Sequence, residues 1–205
     1  FAHLLSTDYT DEMSTEVQTH LHSIVDYSQQ MHTIISNLLL LAQLRNGERI
    51  LEEITVSPVI QAALNRYGER IAAQRITVEV EPNPPSVLGH SPWVEEVFAN
   101  LIDNAIKYMG NDNPDPRIII RGGLQDYMAR FEVEDNGIGI EPEAQPHLFE
   151  MFTRFHEDQA KGHGLGLAIV HRIVTKLNGQ AGVESEPGKG STFWFTLPAP
   201  KKDEK

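Results

Sequence analysis

Two asparagines four residues apart, with a lysine three further on, stand in "NLIDNAIKY" (Asn100 to Tyr108). On a helix Asn100 and Asn104 share one side, and Lys107 joins them. That set could serve a metal–phosphate group: an amide oxygen can ligate Mg2+, and an ammonium pairs with phosphate. A solvated polar helix face would hold the same residues. A second patch, "DNGIG" (Asp135 to Gly139), places an acid before two glycines at the end of the alternating, strand-like "MARFEVED". It reads either as a hairpin or as a point where a ligand nears the backbone. A third patch, "GHGLGLAIV" (Gly162 to Val170), opens a helix with glycines, so first-turn N–H groups and the helix dipole suit an anion. Its spacing is not that of a P-loop, and no strand precedes it as in a dinucleotide fingerprint. A fourth, "FEMFTRF" (Phe149 to Phe155), carries Arg154.

These patches need elements to hold them. The 205 residues allow one ordinary domain and a smaller element, and 40% hydrophobic content allows a real core. The net charge of −12 disfavours a nucleic-acid partner. With no cysteine, thiolate catalysis, disulfides and Cys-ligated zinc are excluded. No apolar run nears the roughly 18 residues of a membrane span, so no direct membrane contact is expected. The opening "FAHLLSTDYT" lacks signal-peptide features and reads as a cut through a longer protein.

Ser14 to Asn46 reads as one helix, with Ser14 as N-cap and Asn46-Gly47 as the stop. Val17, Leu21, Ile24, Ser28, Met31, Ile35, Leu38 and Ala42 form a heptad seam along about 45 Å. A helical hairpin or bundle is the expectation, with residues 1–9 as the end of a preceding helix. Residues 47–53 read as a linker. Residues 54–198 mix helices and strands without strict βαβ alternation, which favours an α+β layer structure. Ser57 and Ser91 are read as N-caps, each before a proline. "NPPSVLGH" reads as a loop, "RIIIRGGLQDYMARFEVED" as a hairpin and "HLFEMFTRF" as a short helix. "LGLAIVHRIVTKLNG" reads as a helix, "GQAGVESEPGKGSTFWFTLP" as two strands, and residues 199–205 as a disordered tail.

Taken in order, the four patches resemble the N, G1, F and G2 boxes of the sensor histidine kinases, in the ATPase superfamily that includes gyrase, Hsp90 and MutL. The resemblance covers essentially the whole chain. It implies a two-layer α/β sandwich at residues 54–198, a catalytic ATP-binding domain. Residues 1–46 resemble part of the dimerisation and phosphotransfer hairpin, which implies a homodimeric four-helix bundle. The implied cofactors are ATP and Mg2+, with Asn104 as the metal ligand. Asp135 is implied to accept a hydrogen bond from the adenine amino group, with Gly137, Gly139 and Ile140 beside the base. Asn100, Lys107, Tyr108, Arg154 and Thr192 are implied to line the nucleotide. Residues 156–164 are implied to form a flexible lid, with Gly162, His163, Gly164, Leu165, Gly166 and Leu167 at the phosphates. A response-regulator receiver domain, an upstream sensor domain and a cytoplasmic setting complete what the resemblance implies.

One departure stands out. The family's phosphoacceptor lies in a motif like His-Glu-x-x-Thr-Pro, and nothing in the chain matches it. At His3, Leu4 and Asp8 stand where the Glu and Pro belong. The acceptor is expected about three helical turns upstream of Phe1. The alternative is a dimeric scaffold that binds nucleotide without kinase activity. An ATP-hydrolysing member would need a Glu on the Asn100–Lys107 helix to activate water, but Ala99 and Asp103 precede the asparagines. His20 and His22, two apart on a helix, are no metal pair. His32, His90, His147, His156, His171, Trp93 and Trp194 are read as surface or packing residues.

Overall fold

A computed structural model describes residues 14–46, 51–110, 112–151, 153 and 164–200. The chain divides into two compact units, Phe1–Arg45 and Asn46–Lys205. All but the last residue of helix α1 (Thr15–Asn46) belongs to the first. The Ser14 hydroxyl caps it, accepting from the Val17 N–H at 3.4 Å. The seam residues Val17, Ile24, Met31, Ile35 and Leu38 are all exposed along it.

The second unit is a two-layer α+β sandwich. Its elements are β1 (Glu52–Ile54), α2 (Val56–Asn65), α3 (Gly68–Ala73), β2 (Thr77–Val80), β3 (Val87–Gly89), α4 (Ser91–Lys107), β4 (Arg117–Gln125), β5 (Met128–Asp135), α5 (Gly166–Lys176), β6 (Ala181–Glu186) and β7 (Gly190–Pro198). A five-stranded sheet runs β2-β4-β5-β7-β6, parallel only at β2–β4. A separate two-stranded ribbon pairs β1 with β3.

Period-two alternation drives one sheet face inward: Ile118 and Ile120 from β4, Ala129, Phe131 and Val133 from β5, Phe193, Phe195 and Leu197 from β7. Helix α4 lies on that face and buries Val94, Val97, Phe98, Leu101, Ile102, Ala105 and Ile106 at helical spacing. Phe98 meets Phe131 and Phe195 edge-on, with centroids 5.6 and 5.1 Å apart, a geometry that suits the ring quadrupoles. α2 and α5 flank α4. The outer sheet face is polar. There Arg130 stacks on Trp194 at 4.4 Å, and Arg121 pairs with Glu134.

Several local expectations are corrected. The helix expected from Ser57 starts at Val56 with Thr55 as N-cap, and it breaks at Arg66–Tyr67 into α2 and α3. Its neighbour starts at Ser91 with His90, not Ser91, as N-cap. Two stretches read as linker and loop are strands: Glu52 and Glu53 of β1 pair with Gly89 and Leu88 of β3. The short helix expected near Phe149 is a 3-10 turn at Gln145–His147 followed by turns, with Phe152 and residues 154–155 outside the described residues. The tail is tied down at Ala199, whose N–H donates to the Tyr127 carbonyl at 2.9 Å. Residues 201–205 lie outside the described residues.

Candidate functional site

Asp135 closes β5 on the inward face, where alternation would otherwise place an apolar residue. It is 5% exposed, and Ser191, its register partner on β7, is 6% exposed. The Gly137 N–H donates to its Oδ1 at 2.9 Å. Burial pushes the carboxyl up to about 7. The Gly137 and Ser191 backbone N–H groups oppose that shift, and the nearby Glu134 charge adds to it. A carboxylate kept in such surroundings is suited to a partner that brings donors.

The glycines after it have a reason that "DNGIG" alone does not show. A Cβ on Gly137 would sit 2.2 Å from the Tyr108 carbonyl oxygen. Gly139, at φ +70, would place one 2.1 Å from the Glu186 carbonyl oxygen. The turn is wedged backbone-on-backbone between the end of α4 and the β6–β7 turn, and the Ile138 N–H donates to Tyr108 O at 3.0 Å. It is no hairpin: the chain leaves β5 there for a different part of the fold. Ile140 N–H donates to the Ser185 hydroxyl, itself 3.0 Å from that of Ser191. Gln145 Nε2 donates to the carbonyls of both Ile140 and Ser185.

On α4, Asn100 donates Nδ2 to the Glu96 carbonyl at 2.8 Å and to its carboxylate at 3.1 Å. The Asn100 Oδ1 lies against Gly166, where a Cβ would approach it to 2.6 Å. The start of α5 therefore packs directly on the asparagine helix. No side chain caps α5, whose N-cap Leu165 is buried. Gly164 holds φ +65 before it, and Leu167 is half-buried. Asn104 is half-buried, and its amide has no hydrogen-bond partner among the described residues. Lys107 pairs with Asp103.

The structure thus brings Asn100 to Gly166, and Tyr108 to the Asp135–Ile140 turn. Arg154, Gly162 and His163 lie outside the described residues, as does most of the expected lid. Thr192 pairs with Glu134 and Glu184, one residue out of phase with Asp135, and lines an open recess at the strand ends together with Asp135, Ser185 and Ser191. Ser191 holds the inward position instead. Counting back by twos from Leu197, Phe195 and Phe193 would have found it. Ser185 and Gln145 carried no comparable signal. Among the described residues no cluster of His, Cys, Asp or Glu could by itself hold a metal, and no helix is long and apolar enough to cross a membrane.

A two-layer sandwich with a buried acid at the end of a central strand, an asparagine helix packed on the sheet and a glycine-led helix start against that asparagine helix suits a nucleotide-binding ATPase class. The family model described as "Histidine kinase-, DNA gyrase B-, and HSP90-like ATPase" matches residues 89–201, and the chain belongs to this family. The phytochrome-like protein Cph1 of Synechocystis is 34% identical over 97% of this chain and 26% of its own length. The sensor-like histidine kinase SenX3 of Mycobacterium tuberculosis is 32% identical over 91% of this chain and 46% of its own. The chain therefore spans about a quarter to under a half of the length of these relatives. Among solved structures, the mycobacterial sensor histidine kinase MprB superposes with a TM-score of 0.65 at 30% identity, over 75% of this chain and all of that one. Full-length ShkA in complex with AMPPNP superposes at 0.76 over 93% of this chain and 40% of that one, and at 24% identity that likeness speaks for the fold.

Proposed function

We propose that the chain is the kinase core of a two-component sensor. It would transfer the γ-phosphoryl of ATP to a histidine of the dimerisation helix, from which a response-regulator aspartate takes it. The observation that carries this reading is the buried Asp135, set at the end of a central strand beside the asparagine helix. Its carboxylate accepts a hydrogen bond from the adenine amino group, with Gly137, Gly139 and Ile140 forming the wall behind the base. The Asn104 amide oxygen fits a place in the coordination shell of Mg2+, which keeps several waters and phosphate oxygens and needs few protein ligands. When bound, that ion neutralises charge on the phosphates. Lys107, Tyr108, Arg154 and the first-turn N–H groups of α5 hold the triphosphate.

In the transfer, a nitrogen of the acceptor imidazole forms a bond to the γ-phosphorus as the bond to the bridging oxygen breaks, and ADP leaves. No side chain of the sandwich needs to become covalently attached. Its work is to align and to balance charge. The resemblance of α1 to the dimerisation hairpin, and its exposed seam, support a homodimeric helical bundle.

The test is incubation with γ-labelled ATP of this chain and of a version extended upstream by a helix that carries a His-Glu-x-x-Thr-Pro-like acceptor motif. Acid-labile, base-stable label is expected only in the extended protein. Stoichiometric label on His3 would refute the placement of the acceptor. Nucleotide binding without label in either protein would favour the scaffold reading.

A further inference from the structure

Asp103 has two cationic partners from two different helices. Lys107, one turn along α4, donates Nζ to its Oδ2, and Arg70 of α3 donates Nη1 to its Oδ1 at 2.5 Å. The side chains of Asp103, Lys107 and Arg70 are 19%, 26% and 42% exposed. The Arg70 guanidinium also lies 5.6 Å from the centre of the Tyr67 ring. Burial, followed by the Asp103 charge, pushes the Tyr67 hydroxyl up to about 12. At about 100° per residue, Lys107 projects from α4 about 40° from Asp103 and about 60° from Asn104. One lysine therefore stands between a carboxylate and the amide assigned to the metal–phosphate group.

We propose that Asp103 and Arg70 are positioning residues of the nucleotide site: Asp103 parks the Lys107 ammonium and yields it to a nucleotide phosphate, and Arg70 keeps the carboxylate paired after the exchange. The proposal rests on the reading of Asn104 and Lys107 as the phosphate side of that site. The physics lies in the shared carboxylate. A part-buried carboxylate with a single cation holds it strongly, because releasing it leaves an uncompensated charge. With two cations, either can leave while the other stays. The two positive charges also repel each other, which loosens the grip on both. Arg70 comes from a different helix and stays behind when Lys107 moves.

Calorimetric titration of the full chain with Mg·AMPPNP, and separately with adenosine, tests this. Lys107→Met should weaken Mg·AMPPNP about tenfold and leave adenosine unchanged. Arg70→Gln should weaken Mg·AMPPNP about three- to tenfold, again without affecting adenosine, and Arg70→Lys should restore it. Asp103→Asn should bind Mg·AMPPNP at least as tightly as the parent. In that background Arg70→Gln should have no further effect. Additive losses across this cycle would mean that Arg70 acts by distant attraction, and would overturn the exchange. Equal losses for adenosine would reduce Arg70 to a structural role and overturn it too. If Lys107→Met keeps its triphosphate preference, the site reading and the exchange both fail. If Lys107→Met loses it and Arg70→Gln is silent, the exchange alone fails.

Discussion

Replacing Asp135 by Asn separates adenine recognition from fold stability, because the two should move in opposite directions. The carboxyl rises from 3.8 to about 7 on folding. At 1.36 kcal/mol per pH unit, holding it charged in the folded state costs roughly 4 kcal/mol. The folded state therefore keeps the proton longer than the unfolded state does. This group's contribution is most favourable below pH 3.8, declines as pH rises toward about 7, and is level above that. An amide at position 135 has no charge to hold. At pH 8 the variant should resist urea better than the parent by up to that amount, less about 1–3 kcal/mol where its NH2 faces the Ser191 N–H donor. Near pH 4 the advantage should vanish. Nucleotide affinity should fall instead. The amide oxygen is already taken by the Gly137 N–H, so its NH2 confronts the adenine amine, a loss of about 1–3 kcal/mol or about 5- to 150-fold in Kd. An adenine donor favours the ionised acid, so parent affinity should tighten as pH rises through about 7, and the variant should show no such slope. Urea denaturation at several pH values and calorimetry with AMPPNP read both quantities. Unchanged affinity in the variant, or a parent whose stability does not decline against it between pH 4 and 7, would refute the reasoning.

Three further outcomes are expected. Asn104→Ala should abolish the tightening of ATP by Mg2+ while adenosine binds as before; a retained Mg2+ effect would move the metal role elsewhere. Gly137→Ala and Gly139→Ala should each destabilise by about 3 kcal/mol or more, since their Cβ atoms meet carbonyl oxygens at 2.2 and 2.1 Å. Gly123→Ala, with nothing within 4 Å, should change the melting temperature little, and equal melting of all three would refute the wedge. Leu21→Lys and Met31→Lys on α1 should shift a dimer toward monomer in sedimentation; if the parent is monomeric at high concentration and the variants are no different, the seam has another use.

Much of the architecture was legible because it follows from local periodicity. Alternation in "MARFEVED" and "TFWFTLP" dictated which side chains go inward, and the spacing from Val94 to Ile106 dictated the buried stripe of α4. Ser14 was readable as a cap because its hydroxyl acts on its own helix. The order of the four patches was enough to point to the family. Tertiary structure decided what depends on neighbours distant in sequence. The β1–β3 ribbon forms between two short segments whose pairing no period announces. Gly137 and Gly139 are small because of the Tyr108 and Glu186 carbonyls, not visibly because of anything beside them in the chain. Lys107 looked like a lysine on the asparagine face, yet Arg70, contributed by another helix, shares its carboxylate. Asp135 was recognisable as an acid before glycines, but its rise to about 7 comes from burial that only packing of the helices on the sheet creates. Periodicity is a property of a segment, whereas desolvation, steric closeness and shared charges belong to the space between segments.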